Sequence, residues 1–186
     1  VQQFNRIDPD FIIGHDASYS FWDLLISRLE KLQLQTLSPL SRLRRDYNEM
    51  KRKFKQYRTS KIRSFTIGRL TCDTFITSKE VIKEVEYSLS YLSKKMFKED
   101  YQKEIVATGS NVNQMMLSID NTLHAAYLSF QISKNLETIQ LTKQLTNVAG
   151  CLWIQSLENQ RAARNEMLLM HTFYNYNYVV PDKFRM

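Results

Sequence analysis

The sequence predicts an all-α protein, an elongated helical bundle with coiled-coil-like helices and an extended C-terminal tail. Turn formers are scarce, with 4 Gly and 3 Pro in 186 residues, too few for the many tight connections of an all-β or α/β fold. Hydrophobic residues make up 43% and charged residues 24%, a balance that places the chain among folding sequences and excludes disorder. Apolar residues also recur at alternating gaps of three and four over long stretches, the spacing that keeps a seam on one side of a helix. No internal repeat or low-complexity linker divides the chain. Residues 1–186 therefore read as a single helical domain, with an extended N-terminal arm (1–17), a helical bundle (18–170) and an aromatic extended tail (171–186).

The arm has scattered apolar residues, Phe4, Ile7, Phe11, Ile12 and Ile13, interrupted by Pro9 and Gly14 without a sustained period. Ser18 or Ser20 then caps a helix carrying Phe21, Leu24, Leu25, Ile26, Leu29 and Leu32 at helical spacing, ending near Leu34. Ser38 before Pro39 restarts a helix, because Ser accepts early helical amides and Pro fits the first helical position. Leu40, Leu43, Tyr47, Met50, Phe54 and Tyr57 form the clearest apolar seam of the sequence.

Beyond Tyr57 the seam fades, and the β-branched residues and Gly68 between Ile62 and Thr77 predict a kink or frayed end. Thr77 and Glu80 have capping-box spacing, and Val81, Val85, Leu89, Leu92 and Met96 predict a helix from about Ser78 to Lys98. After Gly109, the residues Val112, Met116, Ile119, Leu123, Ala126 and Phe130 renew the seam. It continues with slips toward Met170, as one very long helix or two nearly collinear ones. Tyr174, Tyr176 and Tyr178 alternate with Asn175 and Asn177, a period of two that predicts the extended tail closed by Pro181.

No run approaches the roughly 18 apolar residues of a membrane span, and the N-terminal stretch lacks a signal-peptide layout. The start at Val1 rather than Met implies a removed segment and leaves a cleaved leader open. Cys72 and Cys151 are too few for a disulfide framework and lack metal-site spacing; they read as buried free thiols, with a disulfide as the alternative. His15, His124 and His171 stand far apart, outside any metal motif, and no base flanks Cys72. Gly14, Gly68, Gly109 and Gly150 are isolated, so neither a phosphate loop nor a dinucleotide fingerprint is present. The expectation is no cofactor, no metal, no catalytic residue and no enzymatic activity.

Charge is the strongest functional signal. Ten of the 26 Lys and Arg lie between Arg42 and Arg63 against only Asp46 and Glu49, and the rest of the chain is almost neutral. On the expected helix, Arg44, Lys51 and Arg58 flank the seam on one side and Lys53 on the other, while Arg45, Arg52 and Lys55 point outward. These residues are candidates for binding an anionic partner, nucleic acid through phosphate attraction and counterion release, or an acidic protein or membrane surface. The plainer alternative is a solvated face whose long stems cover the seam. Phe173, Tyr174, Tyr176 and Tyr178 are candidates for partner contact through the tail, by strand addition or stacking in a groove; the plainer alternative is an arm folded back across the same bundle.

The run NTLHAAYLSFQISKNLETIQLTKQLTNVAGCLWIQSLENQRAARNEM, Asn121 to Met167, resembles the long C-terminal helix of the TrbJ-like minor pilus subunits of conjugative type IV secretion systems. It is less Gln- and Ala-rich and more Lys- and Tyr-rich than that family. The resemblance implies a periplasmic or cell-envelope location, partners among secretion-channel or pilus subunits, and cysteines open to oxidation. The expected function is thus a non-enzymatic helical assembly or interaction subunit of a larger protein complex. The alternative is a nucleic-acid-binding protein using a basic helix at 42–63.

Overall fold

The computed structural model describes residues 2–17, 21–32, 40–43, 65–101 and 112–180. Its elements are α1 (Gln2–Ile7), β1 (Phe11–Gly14), α2 (Trp22–Lys31), β2 (Leu70–Asp73), α3 (Thr74–Val81), α4 (Leu89–Phe97), α5 (Val112–Asn135), α6 (Thr138–Ala149), α7 (Trp153–Leu157) and α8 (Arg161–Asn175). β1 and β2 pair in parallel, with Phe11 opposite Leu70, Ile13 opposite Cys72 and Gly14 opposite Asp73.

The sheet overturns the all-α reading. Arm residues Phe11–Gly14 are a strand, and the supposed kink between Ile62 and Thr77 contains the other. Each strand is four residues long, and a parallel strand covered by helices need not alternate apolar with polar, so neither left a period to detect. α5 packs on β1 and α7 on β2, with the Phe11 ring edge-on to Trp153 at 5.1 Å between centroids. The arm also begins with a helix, α1, rather than extended chain.

The bundle is segmented rather than elongated. Glu137, Gly150 and Asn159 adopt left-handed φ values of 47°, 64° and 54°, and each one breaks the 112–175 run where the sequence suggested one or two long helices. The expected helix at 78–98 is likewise two. α3 is capped by Asp73 rather than by Thr77, whose hydroxyl instead donates to the Asp73 carbonyl one turn back. α4 starts at its own cap, Ser88. Between them the Tyr87 hydroxyl donates to the Ile82 carbonyl and accepts from the Glu84 amide, which turns Val85 fully outward. Helix α8 reaches Asn175, so Phe173 and Tyr174 are helical rather than extended; Asn177 then turns left-handed and brings the Tyr178 ring edge-on to Phe173.

The core joins Trp22, Phe65, Cys72, Leu92, Leu128, Ile132, Ala149 and Leu157. Many of its other buried positions are small hydroxyls, Thr74, Thr77, Ser78, Ser93, Ser129, Ser133, Thr138, Thr142 and Ser156. Several are satisfied within their own helices: Ser129 and Thr142 donate to the carbonyls four residues earlier at 2.8 and 2.7 Å. Small side chains paired in this way allow helices to approach closely with their hydroxyls satisfied, whereas the Ser78 and Thr138 hydroxyls have no hydrogen-bond partner among the described residues. Both cysteines are free thiols, Cys72 buried and Cys151 partly so.

Candidate functional site

Ligands in parallel α/β sheets collect outside the carboxyl ends of the strands, where the connecting segments diverge. At that edge β1 ends in Gly14-His15-Asp16 and β2 in Asp73-Thr74. Asp73 ties the two ends together, its Oδ1 accepting the Phe75 amide at 3.0 Å as the α3 cap and the Asp16 amide at 2.9 Å. Asp16 sits at φ 53°, which aims that amide across the sheet. Gly14 is required by space: a Cβ there would meet the Ala17 Cβ at 2.9 Å.

His15 joins three elements. Its Nε2 lies 2.9 Å from the Tyr87 carbonyl and its Nδ1 2.9 Å from the Thr74 hydroxyl. A carbonyl can only accept, so Nε2 carries a proton; in neutral imidazole Nδ1 is then an acceptor, and it shares the one Thr74 hydroxyl proton with the Gly14 carbonyl at 3.2 Å. Burial is the largest influence on His15 and pushes its pKa below the ordinary 6.5, with the charges of Asp73 and Asp16 and the Tyr87 carbonyl opposing it. The folded state therefore resists a proton that the unfolded chain accepts, and stability declines as pH falls below about 6.5. In thermal melts a His15→Gln variant is expected to close the gap with wild type between pH 7.5 and 5; a gap constant with pH would show that His15 does not titrate there.

Around this edge lies a half-open cleft of about 720 Å³, lined by His15, Asp16, Phe75, Lys79, Glu86, Tyr87 and Tyr101 among others. The Lys79 ammonium stands 4.0 Å from the Phe75 ring centroid and 5.8 Å from that of Tyr87. A second, more apolar chamber of about 310 Å³ shares the wall of His15, Leu89 and Ala125 and is floored by Phe21, Trp22 and Cys72. Burial pushes the Cys72 thiol up to about 11, so it is protonated at neutral pH and no nucleophile.

The opposite, amino end of the strands is held by cations. Arg69, its side chain only 2% exposed, donates to the Leu40 and Pro9 carbonyls and pairs with Asp8 at 2.6 Å. Arg42 reaches Asp8, Asp10 and the Gly68 carbonyl, and its amide donates to the Ile67 carbonyl at 2.9 Å. Arg42 first and Arg69 second hold the Asp8 carboxyl below its usual range. Arg42 and Arg69, on either side of the basic stretch in sequence, thus meet at Asp8. Arg44, Arg45, Lys51, Arg52, Lys53, Lys55 and Arg58 lie outside the described residues. Of the tail candidates, Tyr174, Tyr176 and Tyr178 are well exposed and Phe173 is half-buried.

A parallel strand pair, covered by helices and carrying its cleft at the carboxyl edge, begins in the first half of the chain. Residues 1–92 match the family model of the DNA polymerase family B exonuclease domain. Similarity to DNA polymerase alpha catalytic subunits extends over nearly the whole sequence. The chain is 38% identical to that of Sterkiella nova over 98% of its length, 34% to that of Arabidopsis thaliana over 97% and 32% to that of Mus musculus over 98%. It spans only 12–13% of those relatives' own length.

These matches overturn the pilus reading, because the stretch 121–167 that suggested it lies within an alignment to polymerase subunits. The secretion and conjugation assignment, the envelope or periplasmic location and the non-enzymatic label fall with it, since the relatives are catalytic subunits. Helical texture, which any amphipathic segment shares, had carried that resemblance. Among the described residues, no helix is long and apolar enough to cross a membrane.

An exonuclease-domain match raises the question of metal. Two-metal phosphodiester chemistry needs several carboxylates converging on one point. Among the described residues, no three His, Cys, Asp or Glu side chains are grouped to hold an ion. At the cleft Asp73 is engaged as cap and tie, and Ala125 occupies the wall between the two chambers. The described residues therefore do not fit a metal pair, and no hydrolytic step follows from them.

Proposed function

We propose that this chain is a section of the catalytic subunit of a family B DNA polymerase of the alpha type, acting in nuclear DNA replication. The observation that carries this reading is the 38% identity sustained over 98% of the chain. Within that enzyme, the carboxyl-edge cleft is suited to a single DNA strand: Phe75, Tyr87 and Tyr101 offer ring surface to bases and Lys79 offers charge to phosphate. The basic stretch beginning at Arg42 supplies phosphate contacts through Arg44, Arg45, Lys51, Arg52, Lys53, Lys55 and Arg58. The exposed rings of Tyr174, Tyr176 and Tyr178 suit contact with a protein partner.

Primer extension by the intact polypeptide tests the family reading, and failure to incorporate nucleotides would remove it. The basic stretch is tested separately by replacing its seven named cations with glutamine in the intact polypeptide and titrating DNA against salt. Each lost contact is expected to flatten the log–log slope by about 0.7 on single strands and about 0.9 on duplex. An unchanged slope would return the stretch to a solvated surface.

A further inference from the structure

Helix α5 has two apolar faces and the described fold uses one. Leu128 and Ile132 on its C-terminal half are buried in the core. On the other side Val112, Met116, Ile119, Leu123, Tyr127 and Phe130 follow one another at gaps of three and four, and they are 71%, 61%, 47%, 63%, 54% and 53% exposed. The sequence periodicity, read through Val112, Met116, Ile119, Leu123, Ala126 and Phe130, predicted this side of the helix as bundle core; these residues are exposed in the structure, with Tyr127 beside them.

The seam runs from Val112 to Phe130, 19 residues and about 27 Å at the helical rise, and Asp120 is the one formally charged residue within it. A stripe of this extent is larger and drier than a solvated helix face carries, which marks a buried interface. Its spacing is that of a seam receiving knobs from another helix.

We propose that this seam is covered by an apolar helical segment of the same polypeptide, lying outside residues 1–186. The inference rests on the reading of the chain as a section of a longer subunit. Relatives that align with nearly all of this chain leave about seven-eighths of their own length beyond it, so covering chain is available in cis. An interface made in cis also needs no second molecule and no concentration threshold.

Photo-crosslinking in the intact polypeptide tests this, with benzoylphenylalanine placed at Met116 in one variant and Leu123 in another, and cross-linked peptides mapped by mass spectrometry. Cross-links within one polypeptide to a segment beyond residues 1–186 are the expected result. Cross-links confined to residues 1–186, cross-links between two copies that increase with protein concentration, or none from either position would each overturn it. Both variants are checked for a melting temperature near wild type. As a second measurement, Met115 and Met116 of unmodified protein are expected to resist peroxide oxidation relative to exposed methionine, and ready oxidation would likewise overturn the proposal. Primer extension, measured in parallel, separates failure of this interface from failure of the polymerase reading.

Discussion

A Glu80→Ala variant is expected to lose about 3–5 kcal/mol of stability, the cost of breaking a buried ion pair from one side. Arg164 on α8 donates from Nη2 to Glu80 Oε1 on α3 at 2.6 Å, and the side chains are only 11% and 17% exposed. Exposed pairs contribute about 0–1 kcal/mol because water screens them and mobile side chains resist ordering. Neither relief is available here. Removing the carboxylate would strand a buried guanidinium whose Nη1 already has no hydrogen-bond partner among the described residues, leaving Asn159 Oδ1 at 3.3 Å. Arg161, its nitrogen 3.6 Å from the same carboxylate but 65% exposed, would simply turn to solvent. Replacing both partners with apolar residues, Glu80→Leu with Arg164→Met, is expected to recover most of the loss, because the stranded charge disappears with the pair. Denaturant titration decides: a midpoint shift worth less than about 1 kcal/mol for Glu80→Ala would mean that water reaches the pair.

Glu80 also illustrates what the sequence could reveal. Its position three residues after Thr77 suggested a capping box, a local signal with a local use. The structure spends it on a partner 84 residues away, which no window of sequence displays. Periodicity located helical chain in two places: Trp22–Lys31 falls within the expected first helix, and Val112 begins α5 after the predicted break, although the seam traced on α5 is exposed. It failed where a single residue decides the ending, as at Glu137, whose left-handed conformation is unusual for a non-glycine residue. It also failed for the sheet, whose strands are too short to carry a period. The cleft was illegible for a related reason. His15 and Thr74 lie 59 residues apart, and only the parallel register that sets Gly14 opposite Asp73 brings them together. A short apolar run ending in Gly-His-Asp, and another ending in an Asp fit to cap the next helix, were the available signals.

Arg69→Met is expected to cost about 3–5 kcal/mol, for a different reason. Asp8, the acidic partner of Arg69, is half exposed and keeps Arg42, so little charge is stranded. What is stranded are the carbonyls of Leu40 and Pro9, which accept from Arg69 at 2.9 and 2.7 Å. A buried acceptor left unpaired costs about 1–3 kcal/mol. The contact of the guanidinium with the Phe4 ring, 4.8 Å to its centroid, is lost as well. Arg69→Lys is expected to recover less than half, because one ammonium cannot serve the separate acceptors that the guanidinium fork reaches. Arg42 makes a comparable set of bonds from a side chain 36% exposed, where water can replace each of them, so Arg42→Gln is expected to melt closer to wild type. Thermal melts of the three variants test this order. If Arg42→Gln proved the most damaging, the amino end of the strands would depend on the exposed aspartates rather than on the buried guanidinium. With the expected order, the buried guanidinium fork rather than the exposed one holds the amino end of the strands together, and Arg42 and Arg69 are the two residues between which the basic stretch runs in sequence.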